Sequence, residues 1–317
     1  MKAIVTVLAL FLMLANYGYA QPNQKSSNNL HVFQPELTQP FPGVRDIAIS
    51  SDGNEIYFTV ESMKSQISAI VLTKKSGSNW SNPEIVSFSG NFRDIEPALS
   101  PDNKKLFFSS NRSDVTETTE PKDYDIWWVE REDLKSKWSS PKAMDTLINS
   151  RGDEYYPSIA NSQNLYFTAQ LPNSKGKEDI FVSKFKNGSY SSPISLSDSI
   201  NSAGYEFNAF VAPDESYIIF TGYGRADGMG GGDLYISYRH PQGDWGKSVN
   251  LGSSINSSKL DYCPFVDVMN NVLYFTSERT QVKNFYPQKL SVDDFVEEIN
   301  QMENGTSRIY FIKNFLP

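Results

Sequence analysis

Acidic side chains recur at one position of a repeated segment, and their type and spacing suit them to chemistry. Four of them stand three positions ahead of an aligned Pro or Ala, namely Asp94, Glu154, Glu206 and Asp261. Asp46 lies near the same point of the first segment, although its alignment slips by two positions. Carboxylates that converge on one site can bind a cation, a basic peptide or sugar hydroxyls. Two carboxylates with different pKa values can also hydrolyse a glycosidic bond.

Three arginines follow the second strand-like run of their segments, and they are the basic counterpart of these acids. Arg112, Arg225 and Arg279 can face the carboxylates or an acidic ligand, and ion pairs within the framework are the alternative. The carboxylates have three possible roles: accepting backbone N–H bonds, binding a ligand, or catalysis. Catalysis requires acids in distinct environments, so equivalent acids in successive segments favour the first two roles.

Other kinds of site are poorly supported by the composition. The chain has two His and one Cys, which argues against a His-rich zinc site and excludes an internal disulfide. Residues 222–233 are rich in glycine but lack the Lys-Ser/Thr ending of a phosphate-binding loop. No cofactor is predicted, and Ca²⁺ is the metal that the carboxylates suit. The net charge of −8 argues against a general nucleic-acid binder, because few basic groups are available to neutralise phosphates.

The segments that carry these residues are copies of one repeat. The clearest copy is RDIEPALSPDNKKLFFSSNR at residues 93–112, and the others start near residues 45, 153, 205 and 260. Their matching aromatic residues are Phe58, Phe108, Phe167, Phe220 and Phe275. A second motif such as DIWWVE and a third such as KWSSPKAM follow, so each copy offers four strand-like runs separated by turn residues.

Five such copies predict an all-β protein, a five-bladed β-propeller of four-stranded blades. The last copy lacks the third motif, and HVFQPELT at residues 31–38 matches it. The N-terminal strand is therefore predicted to join the last blade and close the ring. Residues 291–302 predict a short helix inserted in blade five, with Ser291 and Asp294 as its capping box. We expect its apolar face to pack on the propeller; the alternatives are a partner-docking helix or a lid.

The first twenty residues have the pattern of a secretory signal peptide. Lys2 precedes an apolar run, and Gly18-Tyr19-Ala20 resembles a cleavage site. The apolar run is shorter than the roughly 20 residues of a membrane-spanning helix. The sequence thus predicts cleavage after Ala20, a flexible segment at 21–30 and one propeller domain at 31–317. The expected location is the periplasm or the exterior of the cell, with no transmembrane segment in the mature chain.

The repeat resembles a known family. Its pattern, E/D-x-x-P-x-x-S-P-D-x-x-x-L-x-F-x-S followed by D-I-[WFY] and W-S-x-P, looks like the TolB-type, WD-like propeller repeat of Gram-negative bacteria. Residues 200–237 are similar to repeats found beside OmpA-like domains. The resemblance implies a propeller that binds proteins or envelope components. The chain departs from the family in having five repeats rather than the six typical of TolB, and in lacking both an OmpA-like domain and the N-terminal α/β domain.

Two functions follow from these observations. The first is an exported, non-catalytic propeller that recognises an envelope protein or glycan at the axial mouth. The mouth is the face that carries the loops from fourth to first strands and from second to third strands. The alternative is a glycoside hydrolase of the five-bladed type that uses the mouth carboxylates. The equivalence of the acids from copy to copy favours binding over catalysis.

Overall fold

The computed structural model describes residues 29–113 and 121–316 and confirms the predicted all-β, five-bladed propeller. Each blade is an antiparallel sheet of four strands. The first strands of neighbouring blades contact one another around a ring, so they are the innermost strands and surround the axis. The predicted signal peptide and residues 21–28 lie outside the described part of the chain. Within the described residues, no helix has the length and apolar character needed to cross a membrane.

The elements follow the repeats in chain order. The N-terminal elements are β1 (Leu30–Val32) and α1 (Pro35–Thr38). Blade one contains β2 (Gly43–Ile49), β3 (Glu55–Glu61), β4 (Ser68–Ser76), β5 (Asn79–Trp80) and β6 (Glu84–Ile85). Blade two contains β7 (Asp94–Leu99), β8 (Lys105–Ser110), β9 (Asp125–Glu130) and β10 (Lys142–Ala143). Blade three contains β11 (Glu154–Ile159), β12 (Leu165–Ala169), β13 (Asp179–Ser183), β14 (Phe185–Lys186), β15 (Ser189–Tyr190) and β16 (Ile194–Ser195).

The last two blades complete the ring. Blade four contains β17 (Tyr205–Val211), β18 (Tyr217–Tyr223), β19 (Asp233–Tyr238) and β20 (Val249–Asn250). Blade five contains β21 (Asp261–Asp267), β22 (Val272–Ser277), α2 (Val292–Asn300) and β23 (Arg308–Lys313), with β1 as its fourth strand. The short pairs β4–β5 and β14–β15 are hairpin extensions at the edges of blades one and three.

A bulge interrupts every innermost strand at the same place. The register between first and second strands shifts there in all five blades. One residue in each bulge has a positive φ, and these residues are Asp46, Glu96, Tyr156, Asn208 and Cys263. Non-glycine residues pay an energetic cost for this conformation, so surrounding contacts must stabilise it. The bulges also show that Asp46 is equivalent to Glu96 and not to Asp94.

The repeated aromatic residue and its successor explain how the bulges are positioned. Phe58 and its four counterparts are completely buried between blades. The next residue is Thr or Ser, and the hydroxyls of Thr59, Thr168 and Thr276 each accept a hydrogen bond from the bulge N–H of the following blade. Thr59 accepts from Glu96 (3.2 Å) and Thr276 accepts from Asp46 (3.1 Å). In these three blades the Phe-Thr pair therefore links core packing to the geometry of the axis.

The N-terminal strand closes the ring, as predicted. In β1, Leu30 lies opposite Ile312 and Val32 lies opposite Tyr310 of β23. The predicted match of residues 31–38 to the third motif was wrong in its detail, because the strand ends at Val32 and Pro35–Thr38 form the helical turn α1. Proline at the start of a helix is favourable, since its fixed φ suits the first turn and its missing N–H is not needed there.

The helix in blade five begins at the predicted capping box. Ser291 Oγ accepts a hydrogen bond from Asp294 N, and the Asp294 carboxylate accepts one from Ser291 N. The expectation that its apolar face packs on the propeller was wrong: Phe295 is 55% exposed, and Val292 is exposed as well. The contacts that fix the helix to its loop are polar, such as the hydrogen bond from Tyr286 Oη to Glu298 (2.8 Å), and they leave the apolar face outward.

Candidate functional site

The four acids predicted from the repeat are buried at the starts of the innermost strands. Three of them are paired with the three predicted arginines, one pair in each of blades two, four and five. The pairs are Arg112–Asp94, Arg225–Glu206 (3.0 Å) and Arg279–Asp261 (2.9 Å). The structure therefore brings these six residues together as separate pairs and does not gather them in one site.

Each pair links two neighbouring blades. Arg112 lies over the rings of Phe108 and Trp127, at 5.0 and 5.5 Å, and donates to the carbonyl of Phe88 in the connection from blade one (2.9 Å). Arg225 and Arg279 make corresponding bonds to the carbonyls of Ile200 and Ile255. These internal partners favour ion pairing between blades, and ligand binding by these side chains remains a prediction.

Glu154 is the fourth acid, and it differs from the other three. The residue two positions after the end of β12 is Leu171, where blade two has Arg112. Glu154 Oε2 accepts a hydrogen bond from Ser150 N (3.1 Å), whereas Oε1 has no hydrogen-bond partner among the described residues. Burial raises the pKa of Glu154 to about 7, because the charged form loses its hydration without gaining a cation.

The pKa of Glu154 predicts a measurable pH dependence. In the unfolded chain a Glu titrates near pH 4.3, so between about pH 4.3 and 7 the folded state binds more protons at this site. This group therefore destabilises the fold progressively as the pH rises through that window. We expect Glu154→Gln to raise the free energy of unfolding by about 1–2 kcal/mol at pH 8 and to change it little at pH 5. Urea unfolding at both pH values measures this, and an equal loss of stability at both pH values would contradict it.

Residues of the bulges meet at the propeller axis in an axial cluster, which we define as Asp46, Glu96, Asn208, Cys263 and Arg45. One carboxylate oxygen of Asp46, one of Glu96 and the Sγ of Cys263, which are atoms of the kind that bind metal ions, lie within 4.8 Å of one another. Arg45 donates to Asp46 and to Glu96, both at 2.9 Å, and approaches Cys263 Sγ at 3.5 Å. The guanidinium therefore supplies the positive charge that a bound cation would supply. Cys263 is buried, as predicted, and burial raises its pKa well above the usual range.

Glu96 is the centre of this cluster. Besides Arg45, its carboxylate accepts hydrogen bonds from Asn208 (3.2 Å), Ser109 (3.0 Å) and the backbone N–H of Tyr156 (2.7 Å). Burial raises the pKa of Glu96 to about 7, and Arg45 opposes that rise. Glu96 also lines two different cavities, one toward each face of the propeller.

The first cavity, which we call the mouth cavity, has a volume of about 280 Å³ and opens at the predicted mouth. The Arg93 guanidinium lies 5.4 Å from the centre of the Tyr124 ring, and the rings of Tyr124 and Tyr155 are 5.1 Å apart. Among the described residues, Arg93 forms no ion pair, and the buried atoms Arg93 Nε and Tyr124 Oη have no hydrogen-bond partner. Glu178 and Phe207 complete the wall. The mouth cavity thus combines polar atoms that lack hydrogen-bond partners in the described residues with aromatic surfaces.

Sequence reasoning missed Arg45, Arg93, Glu96 and Tyr124. The sequence does contain a pattern that points to the two arginines, because the tripeptide Arg-Asp-Ile occurs at residues 45–47 and again at 93–95. The two copies differ in register by two positions, however: Asp46 is a bulge residue, whereas Asp94 precedes its bulge residue by two. Both arginines reach the mouth cavity from these different positions.

Comparisons with known proteins add information on the fold. No family model and no curated protein matches the chain. A solved structure described as "Glycoside hydrolase" is similar, with 8% identity, a TM-score of 0.55, and coverage of 87% of this chain and 88% of that one. A solved complex of BT0996 with RGII has 9% identity, a TM-score of 0.53, and coverage of 85% and 86%.

TolB from Acinetobacter baumannii is a further similar structure, with 14% identity and a TM-score of 0.45. The similarity covers 86% of this chain but only 55% of the TolB chain. Identities this low describe the fold and not the activity. The two structures with TM-scores above 0.5 are therefore evidence that the chain shares its overall fold with these proteins, and their activities are not carried over with it.

Proposed function

We propose that the protein is an exported, non-catalytic binding propeller whose mouth cavity takes an acidic sugar residue of a glycan. The observation that carries this proposal is the Arg93 guanidinium, which lies in the mouth cavity without a carboxylate partner in the described part of the chain. A ligand carboxylate is the natural complement, because guanidinium groups bind carboxylates through two parallel hydrogen bonds.

The other walls of the mouth cavity suit a sugar ring. Tyr124 and Tyr155 offer aromatic surface, and the unpartnered Tyr124 Oη is a donor for a ring or hydroxyl oxygen. The half-buried carboxylate of Glu178 can accept hydrogen bonds from sugar hydroxyls. A volume of about 280 Å³ lies at the small end for ligand sites and suits one sugar residue at a chain end. The fold similarity to a glycoside hydrolase is compatible with a carbohydrate ligand.

Calorimetry with trigalacturonate as the probe tests the proposal. We expect saturable binding by the wild type, and binding weaker by about tenfold or more in Arg93→Gln, because a charge-assisted hydrogen bond contributes about 1.5–3 kcal/mol. Uncharged maltotriose should bind far more weakly than trigalacturonate. The control is Arg151→Gln, since Arg151 is exposed and does not line the mouth cavity.

Three results would contradict the proposal. One is equal affinity of wild type and Arg93→Gln for trigalacturonate, and another is equal affinity for the charged and uncharged sugars. The third is binding of hexaglutamate in place of the sugar, which would point to an acidic envelope protein as the partner.

The second candidate is a glycoside hydrolase, and the axial cluster is the observation in its favour. The carboxylates of Asp46 and Glu96 lie within 4.8 Å, close to the roughly 5 Å spacing of retaining enzymes, and the pKa of Glu96 is about 7. Both side chains are buried and bonded to Arg45, however, so binding is better supported. Release of reducing ends from trigalacturonate by the wild type, but not by Glu96→Gln, would establish the hydrolase.

A further inference from the structure

The opposite end of the axis contains a second cavity of different chemistry, which we call the lower pocket. Its volume is about 370 Å³, and it opens on the face that carries the turns between first and second strands. Every innermost strand contributes an apolar side chain to its wall, namely Ile49, Leu99, Ile159, Phe210 and Phe265. Val268 and Met269 lie at the rim, and Met269 is 83% exposed.

The residues around the lower pocket favour an uncharged ligand over a charged one. Among the described residues that line it, none is Lys, Arg or His. Its two carboxylates are already engaged: Glu96 is bonded within the axial cluster, and Asp267 accepts two hydrogen bonds from Asn270. Tyr156, the remaining titratable residue, donates its hydroxyl to the carbonyl of Pro264 (2.8 Å). An anionic ligand would have no basic side chain in the pocket to pair with, and a cationic ligand would find no carboxylate free of hydrogen bonds there.

We propose that the lower pocket is a binding site for an uncharged, apolar small molecule. Water in such a cavity finds few hydrogen-bond partners, and apolar cavities in proteins accept apolar guests for that reason. At about 30 Å³ for each small group, the volume admits on the order of a dozen non-hydrogen atoms. The exposed Met269 side chain is unbranched and adaptable, which suits it to cover a bound guest.

Another prominent apolar surface in the described residues is the outward face of α2. That helix lies in the loop between the second and third strands of blade five, which belongs to the mouth face. The two apolar surfaces are therefore on opposite faces of the propeller, and variants can separate them.

Fluorescence titration at pH 8 with 1-naphthylamine, an uncharged apolar dye small enough for this volume, tests this proposal on the full chain. We expect saturable binding with one dye per protein. Ala98→Phe, which fills the lower pocket, should weaken binding by about tenfold or more. Met269→Glu changes an exposed rim residue without touching the core and should weaken it by about threefold or more. The matched control is Phe295→Ser on α2, which should leave the affinity unchanged.

Competition tests the predicted absence of charge. At pH 8, 1-decanol should displace the dye, whereas decanoate should need about a tenfold higher concentration, since its carboxylate has no basic partner in the lower pocket. The proposal is overturned if neither Ala98→Phe nor Met269→Glu alters dye binding, if Phe295→Ser abolishes it, or if the dye shows no saturable binding. Equal competition by decanoate and decanol would overturn it as well.

Discussion

Asp94→Asn is expected to lower the free energy of unfolding by about 3–5 kcal/mol, because it leaves a buried guanidinium without its carboxylate. Arg112 is enclosed by Phe108 and Trp127, and solvent cannot replace the lost charge. Glu206→Gln and Asp261→Asn should act in the same direction but less strongly, since the side chains of Arg225 and Arg279 are 15% exposed against 10% for Arg112. Urea unfolding followed by circular dichroism measures all three.

A double variant separates the effect of losing one charge of the Asp94–Arg112 pair from the effect of losing both. Asp94→Asn combined with Arg112→Met removes both charges, and we expect it to recover part of the stability that the single change loses. Glu154→Gln provides the matched control, because Glu154 occupies the same position in blade three without an arginine. A loss below about 1 kcal/mol in Asp94→Asn would mean that the pair behaves like a surface ion pair.

Arg45→Met should have a comparable effect at the axis. Without the guanidinium, Asp46 and Glu96 become two buried carboxylates with no shared cation, and we expect a loss of about 3–5 kcal/mol at pH 8. Arg45 lowers the pKa of Glu96, so its removal raises that pKa above the present value of about 7. At pH 5.5 Glu96 is then protonated and uncharged in the variant, and the loss of stability should be smaller than at pH 8.

The pH dependence distinguishes electrostatics from packing. Arg45→Lys keeps the positive charge but loses the planar fork, so it should lie between wild type and Arg45→Met at pH 8. Arg151→Met changes an exposed arginine and should have no measurable effect at either pH. An equal loss at pH 8 and pH 5.5 in Arg45→Met would assign the effect to lost packing, contrary to this account.

The fold was predictable because its determinants are local and recur in every repeat. Turn residues such as those in SPDN, the buried Phe of each second strand, and the incomplete last repeat together indicate five blades and closure by the N-terminal strand. The capping box of α2 was predictable for the same reason, since it depends on two residues three positions apart. The exposure of that helix was not, because periodicity shows an apolar face but not whether a surface lies opposite it.

The site was less predictable because a bulge shifts the register of a strand, so residues that align in sequence can occupy different positions in the structure. One extra residue in β2 or β7 reverses which side chains point to the axis, so identical Arg-Asp-Ile tripeptides acquire different roles. The missing arginine of blade three was visible only once Leu171 could be aligned with Arg112 in space. Arg93 Nε and Tyr124 Oη lack hydrogen-bond partners in the described residues because of which groups surround them in the fold, and no local sequence pattern specifies those groups.

A crystal structure of the protein soaked with galacturonate tests the central claim most directly, because it shows where an acidic sugar binds. The account predicts the sugar in the mouth cavity, with its carboxylate within about 3 Å of the Arg93 guanidinium and its ring near Tyr124 and Tyr155. A sugar bound elsewhere, or a mouth cavity in which Arg93 makes no contact with the carboxylate, would contradict it.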